Sequence, residues 1–324
     1  MKYRSVALAN DPIAEEAATD YLLSGGSALG SVLCGFFAAA GGYAGVLLGP
    51  ISVLVGGAGI GERAFDGRLR QPGLGTKRPR GFQAREPIPD AARVAVPAAV
   101  AAAMVALAYD GTQKLASVVR PGVQRAQRGN APERASLLRR VRSIGASALH
   151  EPSFVRALLR VAGPSEGGLL TPADFGALSD LDQPAAERPF DGSTIIEVPW
   201  AEQVARLPKG SDLGIGCCVA AVDVRGVFAG LSYRRLTDGF PIEDMELEAP
   251  LGAIPVKRGV RRVSPGAPLP APAPIALRRD AGGNVVQVLA APTAERLDDS
   301  VVAKPAFSLQ RDPHTRHVEV ARSV

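Results

Sequence analysis

Cysteine, histidine and aromatic residues are scarce in this chain. Three cysteines, two of them adjacent (Cys217, Cys218), exclude a disulfide framework and a four-cysteine zinc site. Three histidines (His150, His314, His317) exclude a histidine-rich metal centre, and the pair His314-x-x-His317 near the end of the chain reads as surface. Aromatics make up 5%, too few for a base-stacking nucleic-acid platform, and the formal charge of +5 is mild. Charge is absent altogether from Tyr21 to Gly61. That stretch has the length of a bilayer span, which takes ~20 apolar residues. Its glycines, Pro50 and the lack of flanking basic clusters argue instead for a buried helix followed by a buried strand. The acidic segment before it, DPIAEEAATDYLL, does not fit a signal peptide. No membrane insertion, metal or cofactor is expected, and the few unpaired cysteines make cytoplasm the default compartment.

What is present is apolar mass broken by turns. The 324 residues are 46% hydrophobic, with 36 glycines and 27 prolines, which suits one large or two ordinary domains. Residues 3–9 read as a strand. Asn10 or Asp11 caps a helix with Pro12 in its first turn and Ile13–Leu23 as its body, ended by Gly25-Gly26. Ala28–Ala40 is a second helix, apolar enough to need burial on most sides. Ile51–Val55 and Arg63–Phe65 read as a hairpin around a Gly-Gly-Ala-Gly turn. Residues 66–90 form a loop rich in Pro and Gly that carries Arg68, Arg70, Lys77, Arg78, Arg80 and Arg85, either solvated or anion-binding. Four helices follow, over Ala98–Tyr109, Ser117–Arg128, Glu133–Ser147 and Ser153–Val161. Residues 176–212 read as a linker between a helical and sheet half, 1–175, and a β-rich half, 213–324. In the second half, hairpins turn at Arg225-Gly226 and at Asp280–Gly283, Pro265–Pro274 is extended, and His317–Val320 is a last strand.

Several motifs stand in a fixed order: DYLLSGGSALGSV (20–32), Asp66-Gly67-Arg68, VAVPAAVAAAMVALAYDGTQKLASVVRPGVQRAQRG (94–129), GGLLTPADF (167–175), VAAVDVRGV (219–227) and PLPAPAPIALRRDAGG (268–283). Their collinear order resembles the gamma-glutamyltransferase (glutathione hydrolase) family of N-terminal nucleophile hydrolases. The resemblance implies an α/β (α+β) fold: a trimmed four-layer αββα sandwich in one composite domain, with the uncharged stretch at its heart. It also implies a threonine, freed by autocleavage, as the nucleophile with its own amine as base. Counting back from Val222-Asp223 puts Gly216 at that position, and one gap would put Cys217 or Cys218 there. The donor-binding serine pair corresponds to Pro270-Ala271, the oxyanion-hole Gly-Gly to Thr293-Ala294, and the aspartate of the opening motif to Gly30. Arg68 matches the arginine that grips the donor's α-carboxylate.

The resulting expectation is a non-catalytic relative that acts as a structural or accessory subunit. A protein partner or a second copy would cover core edges left bare by missing helices. No nucleic-acid partner is expected. One alternative is an active gamma-glutamyl amidohydrolase with Cys217 or Cys218 as the autoprocessed nucleophile. Another is a binding module for anionic metabolites or polyanions built on Arg68, Arg70, Lys77, Arg78 and Arg80.

Overall fold

The uncharged stretch forms the centre of the molecule. The computed structural model describes residues 4–77, 79, 81–83, 85–206 and 214–323. After strand β1 (Val6–Ala9), Asp11 caps α1 (Pro12–Leu23) by accepting from the amides of Ile13 and Ala14. Ser27 caps α2 (Ala28–Gly42) through the Gly30 amide. Every residue of α2 except Gly42 is buried. A helix apolar all round needs cover on all sides. It receives it from α1, from α4 (Leu115–Arg128), from α3 (Ala99–Asp110) and from the sheet beneath.

The contact with α4 is main chain against main chain. A Cβ on Gly41 would lie 2.0 Å from the Gly122 carbonyl oxygen, and one on Gly122 would lie 2.2 Å from that of Phe37. Pro121 stands inside α4 just before this contact. Glycine is required at both positions because any side chain would push the helices apart.

The strands make two antiparallel six-stranded sheets. The first has the order β1-β7-β8-β2-β3-β4, with β2 Ile51–Gly57, β3 Ile60–Gly67, β4 Asp182–Pro184, β7 Ile215–Val222 and β8 Val227–Arg235. The second has the order β14-β13-β12-β11-β6-β5, with β5 Ala186–Phe190, β6 Ser193–Glu197, β11 Ile275–Arg279, β12 Val285–Ala290, β13 Phe307–Arg311 and β14 Val318–Arg322. A separate two-stranded pair, β9 (Phe240–Ile242) and β10 (Leu247–Ala249), stands beside them. Alternation along β7 sends Cys217, Val219 and Ala221 into the core under the helices. It sends Cys218, Ala220 and Val222 into the core between the sheets. The β2–β3 turn has Ala58 and Gly59 at φ 50° and 80°, the left-handed pair that a two-residue hairpin loop requires.

Residues 176–212, expected as a linker, contain β4, β5 and β6. The chain crosses here from the first sheet to the second, since β4 pairs with β3 while β6 pairs with β11. Pro184 and Pro189 gave the stretch its loop-like look. They are tolerated because β4 and β5 are the outermost strands of their sheets. The first sheet also draws strands from both halves of the chain.

The outer helical layer over the second sheet is reduced to one short helix, Asp299–Ala303, which covers a small apolar cluster including Ile195, Ala276 and Leu289. Register puts Arg278, Gln287, Gln310 and Glu319 on the rest of that outward face. The missing helices therefore leave no bare apolar face there, and that reason for expecting a covering partner falls away. The architecture is a trimmed αββα sandwich.

The α2–α4 contact predicts a specific weakness. Gly122→Ala is expected to destabilise the fold by about 1–3 kcal/mol through overpacking. A lowered urea midpoint with an unchanged slope would report it, and an unchanged midpoint would contradict the backbone contact.

Candidate functional site

Gly216, Cys217 and Cys218 open strand β7, where Asn10 holds them from the end of β1. The Asn10 side-chain amide donates to the Gly216 carbonyl at 3.0 Å, and its oxygen accepts from the Cys218 amide at 2.8 Å. Asn10 thus extends the β1–β7 ladder by one side chain. A Cβ on Gly216 would stand 1.9 Å from the carbonyl oxygen of Pro292 and 2.9 Å from Nη1 of Arg234. The main chain of residue 292 fills the space that a side chain at 216 would need. Thr293 and Ala294 follow directly in the chain. The Ala294 amide, however, donates to the Ala291 carbonyl at 2.8 Å in a local turn and is not free for an oxyanion.

The two cysteines point in opposite directions. Cys217 faces the helix-side core opposite Tyr233, and burial pushes its thiol from the ordinary 9.0 up to about 11, with the charge of Asp11 adding. Cys218 lies between the sheets, and burial raises its thiol well above the usual range. A nucleophilic cysteine needs thiolate character and access, and burial opposes both.

Arg68 follows the end of β3 and is 3% exposed. Its guanidinium makes a two-point pair with Asp66, Nε to Oδ1 and Nη2 to Oδ2, both at 2.9 Å. Nη1 donates to the Gln203 side-chain oxygen, and the flat face lies over the Trp200 ring, 4.8 Å from its centroid. The Trp200 indole in turn donates to Ser52 at 3.0 Å. Arg70 shares the same carboxylate at 3.1 Å. Both arginines are therefore buried around one aspartate and do not reach solvent as a basic cluster with Lys77, which is exposed. Arg78 and Arg80 lie outside the described residues.

The remaining expected positions are occupied by packing. Leu269 donates to the Leu69 carbonyl at 2.8 Å, so the Pro270-Ala271 segment does run beside the Arg68 strand end. A Cβ on Gly30 would meet the Tyr21 ring at 2.8 Å. Asp223 binds the amides of Arg225, Gly226 and Val227 in the β7–β8 turn and that of Ala28 at the start of α2. Asp174 of the GGLLTPADF motif binds the amides of Gly73 and Leu74. Among the described residues no three His, Cys, Asp or Glu side chains are grouped to hold a metal ion, and no helix is long and apolar enough to cross a membrane.

Solved structures match this architecture, two of the three described next over nearly the whole chain. LmbA2991HD aligns with a TM-score of 0.76 at 14% identity, covering 99% of this chain and 97% of that chain. A cephalosporin acylase from Bacillus halodurans aligns at 0.70 and 10%, covering 98% and 94%. A gamma-glutamyltranspeptidase from Pseudomonas nitroreducens, complexed with L-DON, aligns at 0.52 and 19%, covering 62% and 73%. The chain has the N-terminal nucleophile hydrolase fold. No protein-family model and no curated protein sequence matches it. Identities this low establish the fold and not the activity.

Within the N-terminal nucleophile hydrolase fold, the sequence pointed to position 216 and not to most of the residues that surround it. Pro292, Trp200 and Gln203 carried no motif of their own, whereas Asp66 stood in the Asp66-Gly67-Arg68 motif and Asn10 read only as a helix cap. For Trp200 the available signal was its being the single tryptophan of the chain, standing after the apolar run that ends at Val198.

Two outcomes follow from this geometry. Gly216→Thr is expected to lower the thermal midpoint and yield no cleaved chain in intact-mass spectra, because the new side chain meets the Pro292 carbonyl. Stable, self-cleaving Gly216→Thr protein would overturn the filled site. Stability should also fall with alkali. Burial raises Cys217 to about 11, and Cys34 and Tyr21 to about 12. The folded state thus binds protons more tightly than the unfolded one. The stabilisation is complete below the ordinary thiol value of 9.0 and is lost as pH rises through about 11. A melting midpoint that declines over that window, less steeply in Cys217→Ala, is the expected record.

Proposed function

We propose that this protein is an N-terminal nucleophile hydrolase fold that has lost hydrolase and transpeptidase chemistry and acts as a structural or accessory subunit of a protein complex, or as a homo-oligomer. The observation that carries the reading is the Pro292 carbonyl seated on Gly216. In this reading the glycine brings no nucleophile and the carbonyl leaves no room for one. Loss of a single oxyanion donor alone costs about a hundred- to a thousandfold in rate, and here the Ala294 amide is engaged elsewhere. Arg68 serves structure in this reading, since its charge is met by Asp66 and its face by Trp200. A fold kept without its chemistry offers surfaces, and the function rests on what those surfaces bind. The unpaired thiols of Cys34, Cys217 and Cys218 suit a reducing compartment, which in this reading is the cytoplasm.

The competing reading is a hydrolase or transferase with Cys217 or Cys218 as nucleophile. It requires a chain end at the start of β7, whereas Ile215 is paired there with Arg235 and Gly216 with Arg234. Native and denaturing mass spectrometry of the purified protein separates the two. The proposal predicts a single uncleaved 33.6 kDa chain, association with a partner or a second copy, and no hydrolysis of gamma-glutamyl-p-nitroanilide above the buffer rate. Two fragments split before a cysteine, together with hydrolysis, would establish the enzyme instead. An uncleaved monomer without partners would remove the accessory role.

A further inference from the structure

The segment 250–263 forms neither helix nor regular strand, yet it is tied down along its length. The Ala95 amide donates to the Pro250 carbonyl at 3.0 Å, and the Ala253 amide to that of Arg93 at 2.8 Å. The Gln71 side chain clasps Ile254 from both sides, donating to its carbonyl at 2.8 Å and accepting from its amide at 2.9 Å. Phe82 and its neighbours add a short bridge, with the Phe82 amide on the Val256 carbonyl and the Arg258 amide on the Phe82 carbonyl. Arg262 reaches back to the carbonyls of Gly73 at 3.0 Å and Thr76 at 3.1 Å. This is a fixed surface and not a loose loop.

A cleft of about 350 Å³ opens in that surface, within the size range of small-molecule sites. Leu251, Ile254 and Val260 give it an apolar wall, and Val260 is 62% exposed at its edge. Arg93, Lys257, Arg261 and Arg262 line it too, and no carboxylate does among the described residues. The first three of these cations are exposed and have no acidic partner among the described residues. Among the described residues Arg262 bonds to carbonyls alone, which leave its charge in place, and its buried Nε has no partner. The cleft between α1 and α4 differs, because Glu16 and Asp20 stand among its arginines. Unmatched positive charge beside an exposed apolar wall has a specific complement.

We propose that this cleft binds a small organic anion with a short aliphatic body. The wall takes the body, and Arg93, Lys257, Arg261 and Arg262 take the anionic head. The site is independent of the reading given above for position 216. It also differs from the anion site expected of the basic loop: Arg68 and Arg70 are withdrawn around Asp66, whereas Arg93, Lys257 and Arg261 are exposed in the cleft.

The test is an NMR titration of isotope-labelled full-length protein with hexanoate, hexanol and acetate as probes. Hexanoate is expected to shift signals of the 250–263 segment with one saturable site, and both hexanol and acetate to bind about tenfold more weakly or worse. The double variant Lys257→Glu, Arg261→Glu should weaken hexanoate by at least about tenfold, with circular dichroism reporting an intact fold. Arg139→Glu, exposed on α5 (Pro132–Ile144), should leave it unchanged. No saturable hexanoate binding, or binding indifferent to the double variant, overturns the proposal. So does hexanol or acetate binding as tightly as hexanoate, since either would show that one half of the cleft plays no part.

Discussion

Burial of the central strands on both faces is the constraint from which the rest of this structure follows. Strand β2 is buried at every residue, and β7 divides its side chains between two separate cores. A strand apolar on both sides must lie between two layers. One layer is the helical group around α2, and the other is the second sheet. Helix α2 then meets the same demand on its own account and is held under α1 and α4. The glycine pair Gly41 and Gly122 exists to let that last packing close.

The filled site is a consequence of the same closure. At the start of β7 the two sheets come together, and the main chain at Pro292 rests on Gly216 with no gap for a side chain. Near the end of β3, two arginines and one aspartate are taken out of water together. Such a group is costly to break, because removing one partner strands a buried charge. Trp200 covers Arg68 and reaches Ser52, which joins the crossover segment to the first sheet. Positive charge without a carboxylate among the lining residues is found elsewhere, in the cleft beside the tethered 250–263 segment.

Much of the fold was legible from local pattern. Asp11 and Ser27 cap helices, the apolar run at 28–40 has helical length, and hairpins turn at Gly59 and Gly226, because those signals act within a few residues of chain. The strands β4, β5 and β6 were not legible. Each is short, and two carry proline, so only their partners identify them as strands. The basic loop misled for a related reason. Composition counts Arg68 and Arg70 with Lys77, but a carboxylate two residues from Arg68 and four from Arg70 draws those two inward.

By itself the sequence determined which segments are buried, where the chain turns, and that position 216 bears no nucleophile. Those properties depend on residue type and near neighbours. Only the tertiary structure decided that the space at 216 is filled and that Arg68 is paired and covered. The contacts that do so join residues far apart in the chain, such as Arg68 with Gln203 across 135 positions and Trp200 with Ser52 across 148. No local pattern encodes pairings at that separation, because they exist only once both sheets have closed.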